Sequence, residues 1–457
     1  MSTTIIETSA AAPSSARSAS HIPVFVASAA FFLSGLDVLI VNLALPTISQ
    51  ELGGGVSAQQ WVVDGYTLPF AALLLTAGGL ADRFGAKRMF GIGCALFLAS
   101  SVICTFAVSM PMLIAGRCLM GVGAAMFLPS SMSVIRENYP DPKEQAVAMG
   151  YWGLGGAVAG VTGPILGGVL TPIHWSLVFG INIPVCVLIL ALLPRLSASQ
   201  RKETPFDWPG QILALLALGG VVGGLIEGGE LGFVSPTVIG LLAFGLAALA
   251  AFLFVERRAT HPMMPLHLLR SYDMRVSLAI GLAFMISWYG TVFLCTSLLQ
   301  NEYGLSPLVC GLIFVPSAVC GAIGNLSAPR IANMFGTRVP VLAGLALMIL
   351  GLAAMAALGT HLGAVLVGVF SGIVGLGCSF VTPPVSALVL RCVDPHESGI
   401  AGAMFNTSRQ IGSTLGIAIF GSLVASLPTF DAAMRVSFLT AAAMLTLVLA
   451  ASTRLDR

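Results

Sequence analysis

The sequence carries very little charge. Asp, Glu, Lys and Arg make up 9% of its 457 residues, whereas soluble proteins carry about a quarter. So few charges cannot coat a water-exposed surface, which excludes an ordinary soluble domain. The formal net charge is +2 and no basic run occurs, so nothing indicates binding to nucleic acid.

Clusters that could hold a metal or perform catalysis are also missing. No two of the six histidines share a predicted helix face, and the nine cysteines include no CxxC pair. Neither an HExxH motif nor a GxSxG motif with partner residues occurs. The cysteines lie mostly in apolar runs and fit small core residues better than disulfides or metal ligands. These absences disfavour a membrane-embedded enzyme, and no polar stretch is long enough for the soluble domain of a sensor.

Long apolar runs dominate what is present. Each is about twenty residues long, enough to cross a bilayer as a helix, and helices satisfy their backbone groups within one segment, as lipid demands. We therefore predict an all-α membrane protein with fourteen transmembrane helices. The predicted spans are 23–45, 57–79, 88–108, 112–134, 145–171, 174–194, 208–228, 235–255, 275–297, 306–328, 338–358, 362–388, 399–425 and 432–452.

The basic residues set the direction of these spans. If the N-terminus is cytoplasmic, every Lys and Arg except Arg117, Arg409 and Arg435 falls in a cytoplasmic segment, as the positive-inside rule requires. An even number of spans places both termini in the cytoplasm. Residues 1–22 begin with a stretch rich in Ser, Ala and Thr and are predicted to form a disordered cytoplasmic tail.

Two similar turns indicate an internal repeat. Residues 82–87 (DRFGAK) follow the second predicted span, and residues 333–338 (NMFGTR) follow the tenth. Two parallel halves with substrate bound between them are a known transporter architecture. We predict a six-helix bundle over 23–200, a two-helix insert and linker over 201–260, and a second six-helix bundle over 261–457.

Three ionisable residues lie at nearly one depth inside spans of the first half, namely Asp37, Asp64 and Arg117. Such residues are costly in lipid and are usually functional. A buried carboxyl group holds its proton tightly and a nearby cation loosens it. The three residues therefore predict a site that couples a proton to substrate. A static ion pair that fixes helix packing is the alternative.

Arg409 lies near the middle of the thirteenth predicted span, beside Asn406 and Gln410. No acidic residue of the second half matches its depth. It therefore either lines a cavity, bonds to backbone carbonyl groups or extends toward the cytoplasm.

Several motifs resemble those of the major facilitator superfamily. Residues 78–88 resemble the signature between helices two and three, which the family uses as a gate. Its expected gating residues here are Gly78, Asp82, Arg83, Gly85, Lys87 and Arg88. A second set of residues, on the fifth predicted span, resembles the helix-five motif of drug:proton antiporters, which is associated with export. Its residues are Gly163, Pro164, Gly167 and Gly168.

Other motifs resemble the fourteen-helix drug:proton antiporter branch of that superfamily. They are residues 36–46 with Asp37 and Asn42, Arg117 with Gly121 and Gly123, and residues 402–412 with Arg409. Residues 61–66 (WVVDGY) look most like methylenomycin-resistance-type bacterial exporters. The sequence departs from the family at Met120, where Gln is usual, and at Asn333, which stands where the first half has Asp82.

The resemblance implies a proton-coupled antiporter of the bacterial inner membrane, with six helices, two inserted helices and six more. It would export drug-like amphipathic or cationic molecules, use the proton gradient and no cofactor, and work as a monomer among membrane lipids. A dedicated exporter or importer of one metabolite is the alternative, because a fold does not fix its substrate.

Overall fold

The computed structural model describes residues 21–199, 207–260, 262–394 and 397–455. Most of the predicted tail lies outside these ranges, as do four basic residues used to assign direction. These four are Arg17, Arg201, Lys202 and Arg457.

Within the described ranges the chain forms fifteen α-helices. Their bounds are α1 Ile22–Leu52, α2 Val56–Phe84, α3 Ala86–Thr105, α4 Met110–Asn138, α5 Pro142–Leu170, α6 Leu177–Gly180, α7 Asn182–Leu192, α8 Trp208–Leu231, α9 Pro236–Arg258, α10 Tyr272–Ser297, α11 Pro307–Phe335, α12 Arg338–Leu358, α13 Ala364–Arg391, α14 Ser398–Ser426 and α15 Phe430–Ser452. Short turns join most of these helices, so successive long helices run antiparallel. The end of the bundle where α1 begins is called the near end, and the opposite end the far end.

Twelve helical segments of the described chain are long and apolar enough to cross a membrane. One of them, Leu177–Arg195, combines α6, α7 and a short 3-10 turn. The prediction of an all-helical membrane protein is therefore confirmed, but twelve spans are supported rather than fourteen. The two remaining predicted spans, α2 and α14, are continuous helices of 29 residues outside this set of twelve.

Several helices extend beyond the spans predicted from the sequence. The first was predicted to end at residue 45, before Pro46, but α1 continues through that proline to Leu52. Proline removes one backbone hydrogen bond, and neighbouring helices in a membrane protein can compensate for that loss. Hydropathy reports only the apolar middle of a helix, so it misses polar turns such as Ser49–Gln50–Glu51.

Glycine pairs let some neighbouring helices approach closely. A Cβ added to Gly93 on α3 would lie 2.8 Å from the carbonyl oxygen of Gly123 on α4. In the same way, a Cβ added to Gly344 on α12 would lie 2.6 Å from the carbonyl oxygen of Gly377 on α13. Small residues at helix contacts are a common device in membranes, where backbones pack without a hydrophobic driving force.

The helices pack as two similar groups. In α1–α7 the principal contacts are α1 with α5, α2 with α4, and α3 with α4. In α10–α15 the equivalent contacts are α10 with α14, α11 with α13, and α12 with α13. Each group has its own apolar core. The pair α8 and α9 packs on α2 and α14 through α8.

The two groups are joined through α2 with α14 and α5 with α11. Among described residues, three side chains make the hydrogen bonds between these groups, and each lies toward the far end. Gln60 donates to the carbonyl oxygens of Ile417 and Ala418, at 3.2 and 2.9 Å. Gln300 donates to the carbonyl oxygen of Leu43 at 3.0 Å. Thr414 bonds to Thr67, and this contact belongs to the site described next.

Substituting Gly123 with valine should destabilise the protein, because the added carbon atoms would meet the backbone of α3. The Cβ alone would lie 2.8 Å from the backbone nitrogen of Phe97, and overpacking of this kind costs about 1–3 kcal/mol. The control is Gly240→Val on α9, where a Cβ meets no atom within 4 Å. Thermal unfolding in detergent should show a lower Tm for Gly123→Val only, and equal shifts would contradict the proposed close packing.

Candidate functional site

Arg117 is the centre of a buried charged site in the first group of helices. Its Nη1 donates to Oδ2 of Asp37, and neither side chain is exposed to solvent. Its Nε donates to the carbonyl oxygen of Val62 on α2 at 2.8 Å. The guanidinium carbon lies 4.6 Å from the ring centroid of Tyr66. One cation therefore links α1, α2 and α4. The ion pair agrees with the common depth that the sequence predicts for Asp37 and Arg117.

Asn182 belongs to this site and was not anticipated from the sequence. It begins α7, and its Nδ2 lies 3.4 Å from Oδ1 of Asp37. The predicted sixth span is broken next to it, between α6 and α7. Asn182 lies between the apolar residues Ile181 and Ile183, so the average hydropathy of the segment stays high. No polar residue nearby in the sequence marks it as part of a site.

Asp64 does not join the pair of Asp37 and Arg117. Its Oδ1 accepts a hydrogen bond from the Thr67 hydroxyl at 2.9 Å. Its Oδ2 is buried and has no hydrogen-bond partner among the described residues. The structure therefore places the three charged residues in two separate arrangements, because equal depth does not determine which face of a helix a residue occupies. Their joint part in proton coupling stays a prediction.

Asp64 instead faces the second group of helices. Gln60, Asp64 and Thr67 are spaced four and three residues apart, which places them on one face of α2. Thr67 is bonded at 2.9 Å to Thr414 on α14, and Gln60 reaches the same helix. The spacing of this polar face is visible in the sequence, but its partner helix is not.

The helix-five motif lies between α1 and the second group of helices. A Cβ added to Gly163 would lie 2.9 Å from Cβ of Leu39 on α1. A Cβ added to Gly168 would lie 2.7 Å from Cα of Leu308 on α11. Pro164 and Gly167 share this contact region. The predicted glycine face therefore lies where the two groups of helices meet at the far end.

The predicted gating turn lies at the near end. Gly85 connects α2 to α3 with φ of 92°, a left-handed conformation that favours glycine. Lys87 donates through Nζ to the carbonyl oxygens of Pro194 and Leu196, at 3.2 and 2.6 Å. The turn is thereby attached to the end of the sixth span. Arg83 and Arg88 are exposed, Gly78 has open space beside it, and the side chain of Asp82 lies outside the described part of the structure.

Asn42 does not take part in the charged site. Its Nδ2 donates to the carbonyl oxygen of Val38 in its own helix, at 2.6 Å. It is buried on α1 one turn before Pro46, and its part in proton coupling stays a prediction.

Arg409 lies apart from both acids of the first group. Its Nη1 is 3.4 Å from Oδ1 of Asn406 on the same helix, and its guanidinium carbon is 5.8 Å from the ring centroid of Phe284 on α10. Of the three alternatives drawn from the sequence, the aromatic surroundings favour a position that lines the interior of the second group.

The fold and these buried charges define a multi-pass membrane transporter. The chain belongs to the Major Facilitator Superfamily, whose family model matches residues 27–417 and again 276–455. It is a transporter rather than an enzyme, and it is a multi-pass protein of the inner membrane.

Two relatives support this assignment. The chain is 34% identical over 398 residues to "Multidrug resistance protein Stp" of Mycobacterium tuberculosis, covering 86% of this chain and 74% of that protein. It is 31% identical over 422 residues to "Methylenomycin A resistance protein" of Streptomyces coelicolor, covering 92% and 89%. The resemblance to this superfamily and to methylenomycin-resistance exporters, drawn from the sequence, is confirmed.

A solved structure shares the fold at low identity. A POT family transporter, crystallised with a thioalcohol-conjugated peptide, superimposes with a TM-score of 0.71 at 12% identity, covering 95% of this chain and 96% of that one. At this identity the likeness concerns the fold alone.

Replacing one partner of the Asp37–Arg117 pair should cost about 3–5 kcal/mol, because the other charge is left buried and uncompensated. Asp37→Asn and Arg117→Gln should each lower stability strongly, and the double variant should be more stable than the sum of the two losses predicts. Chemical unfolding in detergent, analysed as a double-mutant cycle, measures this coupling.

The exposed pair of Asp431 and Arg435 is the control. Their side chains are each 36% exposed and 2.7 Å apart, and such pairs couple by only about 0.2–1 kcal/mol. Equal coupling in the two pairs would contradict a structural role for Asp37 and Arg117.

Proposed function

We propose that this chain is a proton-coupled exporter of drug-like amphipathic molecules. Two relatives named for drug resistance cover most of its length, and proton coupling is typical of the superfamily. The observation that carries the proposal is the position of Asp64, a fully buried acid on the helix face that joins the two groups. The proton gradient is then the energy source, and no cofactor is needed.

We also assign the chain to the fourteen-helix branch, with α2 and α14 as the two further spans. Both are as long as the neighbouring helices, and their polar faces contact each other rather than lipid. The near end is the cytoplasmic side, because the described basic residues of the turns gather there. Examples are Arg83, Arg195 and Arg258. Both termini are then cytoplasmic, as the positive-inside rule requires.

The domain boundaries of the proposal follow the two packing groups. A first bundle occupies 23–200, an inserted pair with its linker 201–260, and a second bundle 261–457. Four hydrogen bonds between the helices of the two bundles lie toward the far end within the described chain, whereas one described hydrogen bond joins the bundles at the near end, from Thr76 to the sulfur of Met263 in the loop before α10. We interpret this arrangement as closed to the outside and open to the cytoplasm.

Asp64 can link proton binding to closure of the far end. When α2 and α14 separate, Asp64 is exposed to the outside and can take up a proton. When the helices close, the neutral acid is buried at low cost and bonds to Thr67. Loss of the proton to the cytoplasm leaves a buried charge without a cation, which is costly. That cost favours separation of α2 from α14, and so favours the outward-open state in which cargo leaves.

The other predicted residues have supporting roles in this cycle. Asp37 and Arg117 hold α1, α2 and α4 together, so that the first bundle moves as one body. Lys87 keeps the turn after α2 attached to the sixth span. Gly163 and Gly168 let α5 contact α1 and α11 closely, which makes the far end tight when it closes.

Replacing Asp64 with asparagine should abolish proton-driven transport, because asparagine mimics the protonated acid and cannot release a proton. Inside-out vesicles with an acidic lumen should accumulate ethidium, fluorescein or both, relative to vesicles without the protein. In Asp64→Asn the accumulation should fall about ten-fold or more, while dye binding stays within about three-fold.

Glu302→Gln is the matched control, since Glu302 is an exposed acid at the far end. It should accumulate dye as the wild type does, and collapse of the pH gradient should stop both. Normal pumping by Asp64→Asn would exclude Asp64 as the coupling residue. Failure of the wild type to move either dye would overturn the proposal of drug export.

A further inference from the structure

Arg409 is a cation inside the protein without an acidic partner among the described residues. The ion pairs of the described chain are Asp37–Arg117, His267–Glu397 and Asp431–Arg435. The single polar contact found for Arg409 is the long one to Asn406, and its Nε has no partner within the described part of the structure. The side chain is partly exposed while its Nε is buried, so a counter-charge from outside the chain can reach this cation and supply the partner that the described chain lacks.

The surroundings place Arg409 toward the middle of the protein rather than toward lipid. Its guanidinium lies near the rings of Phe284 and Phe405, with centroid distances of 5.8 and 5.9 Å. Tyr289 on α10 and Cys378 on α13 lie within electrostatic range of it. Tyr289 packs against the apolar cores of both groups of helices. Arg409 therefore faces the region where the two groups meet.

This cation is accessible, whereas the two acids of the first group are not. Arg409 is partly exposed and Asn406 is exposed, while Asp37 and Asp64 are each 0% exposed. Arg409 precedes Thr414 by five residues, so it lies about 7.5 Å nearer the near end than the closed contact between α2 and α14. Arg409 therefore lies nearer the near end than Asp64, which is further along than Thr67 toward the far end.

We infer that Arg409 binds the acidic group of the cargo. The preferred cargo is then an amphipathic aromatic molecule that carries a carboxylate or a similarly ionised oxygen. Arginine suits this role because its planar guanidinium can donate two parallel hydrogen bonds to one carboxylate. The ring of Tyr289, which is partly exposed, provides apolar area for an aromatic body, while Phe284 and Phe405 are buried beside the cation. This inference rests on the proposed export function and replaces the expectation of cationic cargo.

The test compares pyrenebutyrate with its methyl ester, which differ only in the ionised group. Binding of each fluorescent probe to the purified full-length protein in detergent is measured by fluorescence anisotropy. The wild type should bind the acid about ten-fold more tightly than the ester. Arg409→Gln should weaken binding of the acid about ten-fold and leave binding of the ester within about two-fold, and Arg409→Lys should restore part of the loss.

Arg258→Gln controls for the loss of one positive charge, because Arg258 is an exposed residue at the near end of α9. It should bind both probes as the wild type does. Equal affinity of the wild type for acid and ester, binding of neither, or an equal loss of both in Arg409→Gln would overturn the inference. None of these results would affect the proton-driven accumulation of whichever dye the wild type exports, so failure here is distinguishable from failure of the proposed function.

Discussion

The protein depends on one constraint, which is that a charge buried in an apolar interior needs a partner. Arg117 satisfies this constraint within the chain, since Asp37, the carbonyl oxygen of Val62 and the ring of Tyr66 surround it. Asp64 and Arg409 do not satisfy it with any described residue of opposite charge. The first arrangement stabilises one bundle in every state. Asp64 is fully buried and Arg409 is partly exposed, and in our proposals a proton and a bound anion supply what the chain lacks at these two positions.

The presence or absence of a partner of opposite charge distinguishes the charges that hold the first bundle together from the two charges that we propose act in transport. The faces of α2 illustrate it, because Val62 and Gly65 face Arg117 on α4, while Gln60, Asp64 and Thr67 face α14. One face of the helix therefore belongs to a permanent contact, and another to a contact that must break during transport. A proton on Asp64 acts on the second contact without disturbing the first.

The sequence predicts the helices well and the site only partly, for a physical reason. Hydropathy and basic turns reveal length and direction, so the apolar segments, the charges inside them and the unmatched Arg409 were predictable. Neither property reports which face of a helix a residue occupies, so the separate position of Asp64 could not be predicted from its depth. Contacts between residues far apart in sequence, such as Asn182 with Asp37 or Thr67 with Thr414, leave no local pattern.

The hydrogen bonds that close the far end have an evolutionary consequence. Gln60 and Gln300 donate to backbone carbonyl oxygens, and the side chains at Ile417, Ala418 and Leu43 take no part in those bonds. Those three side chains are buried in apolar cores, so volume-conserving apolar substitutions there leave the closing hydrogen bonds unchanged. Changes at Gln60 or Gln300 remove those bonds, so selection for a tight outer gate acts on the two donors and leaves the accepting positions free to drift among apolar residues of similar size.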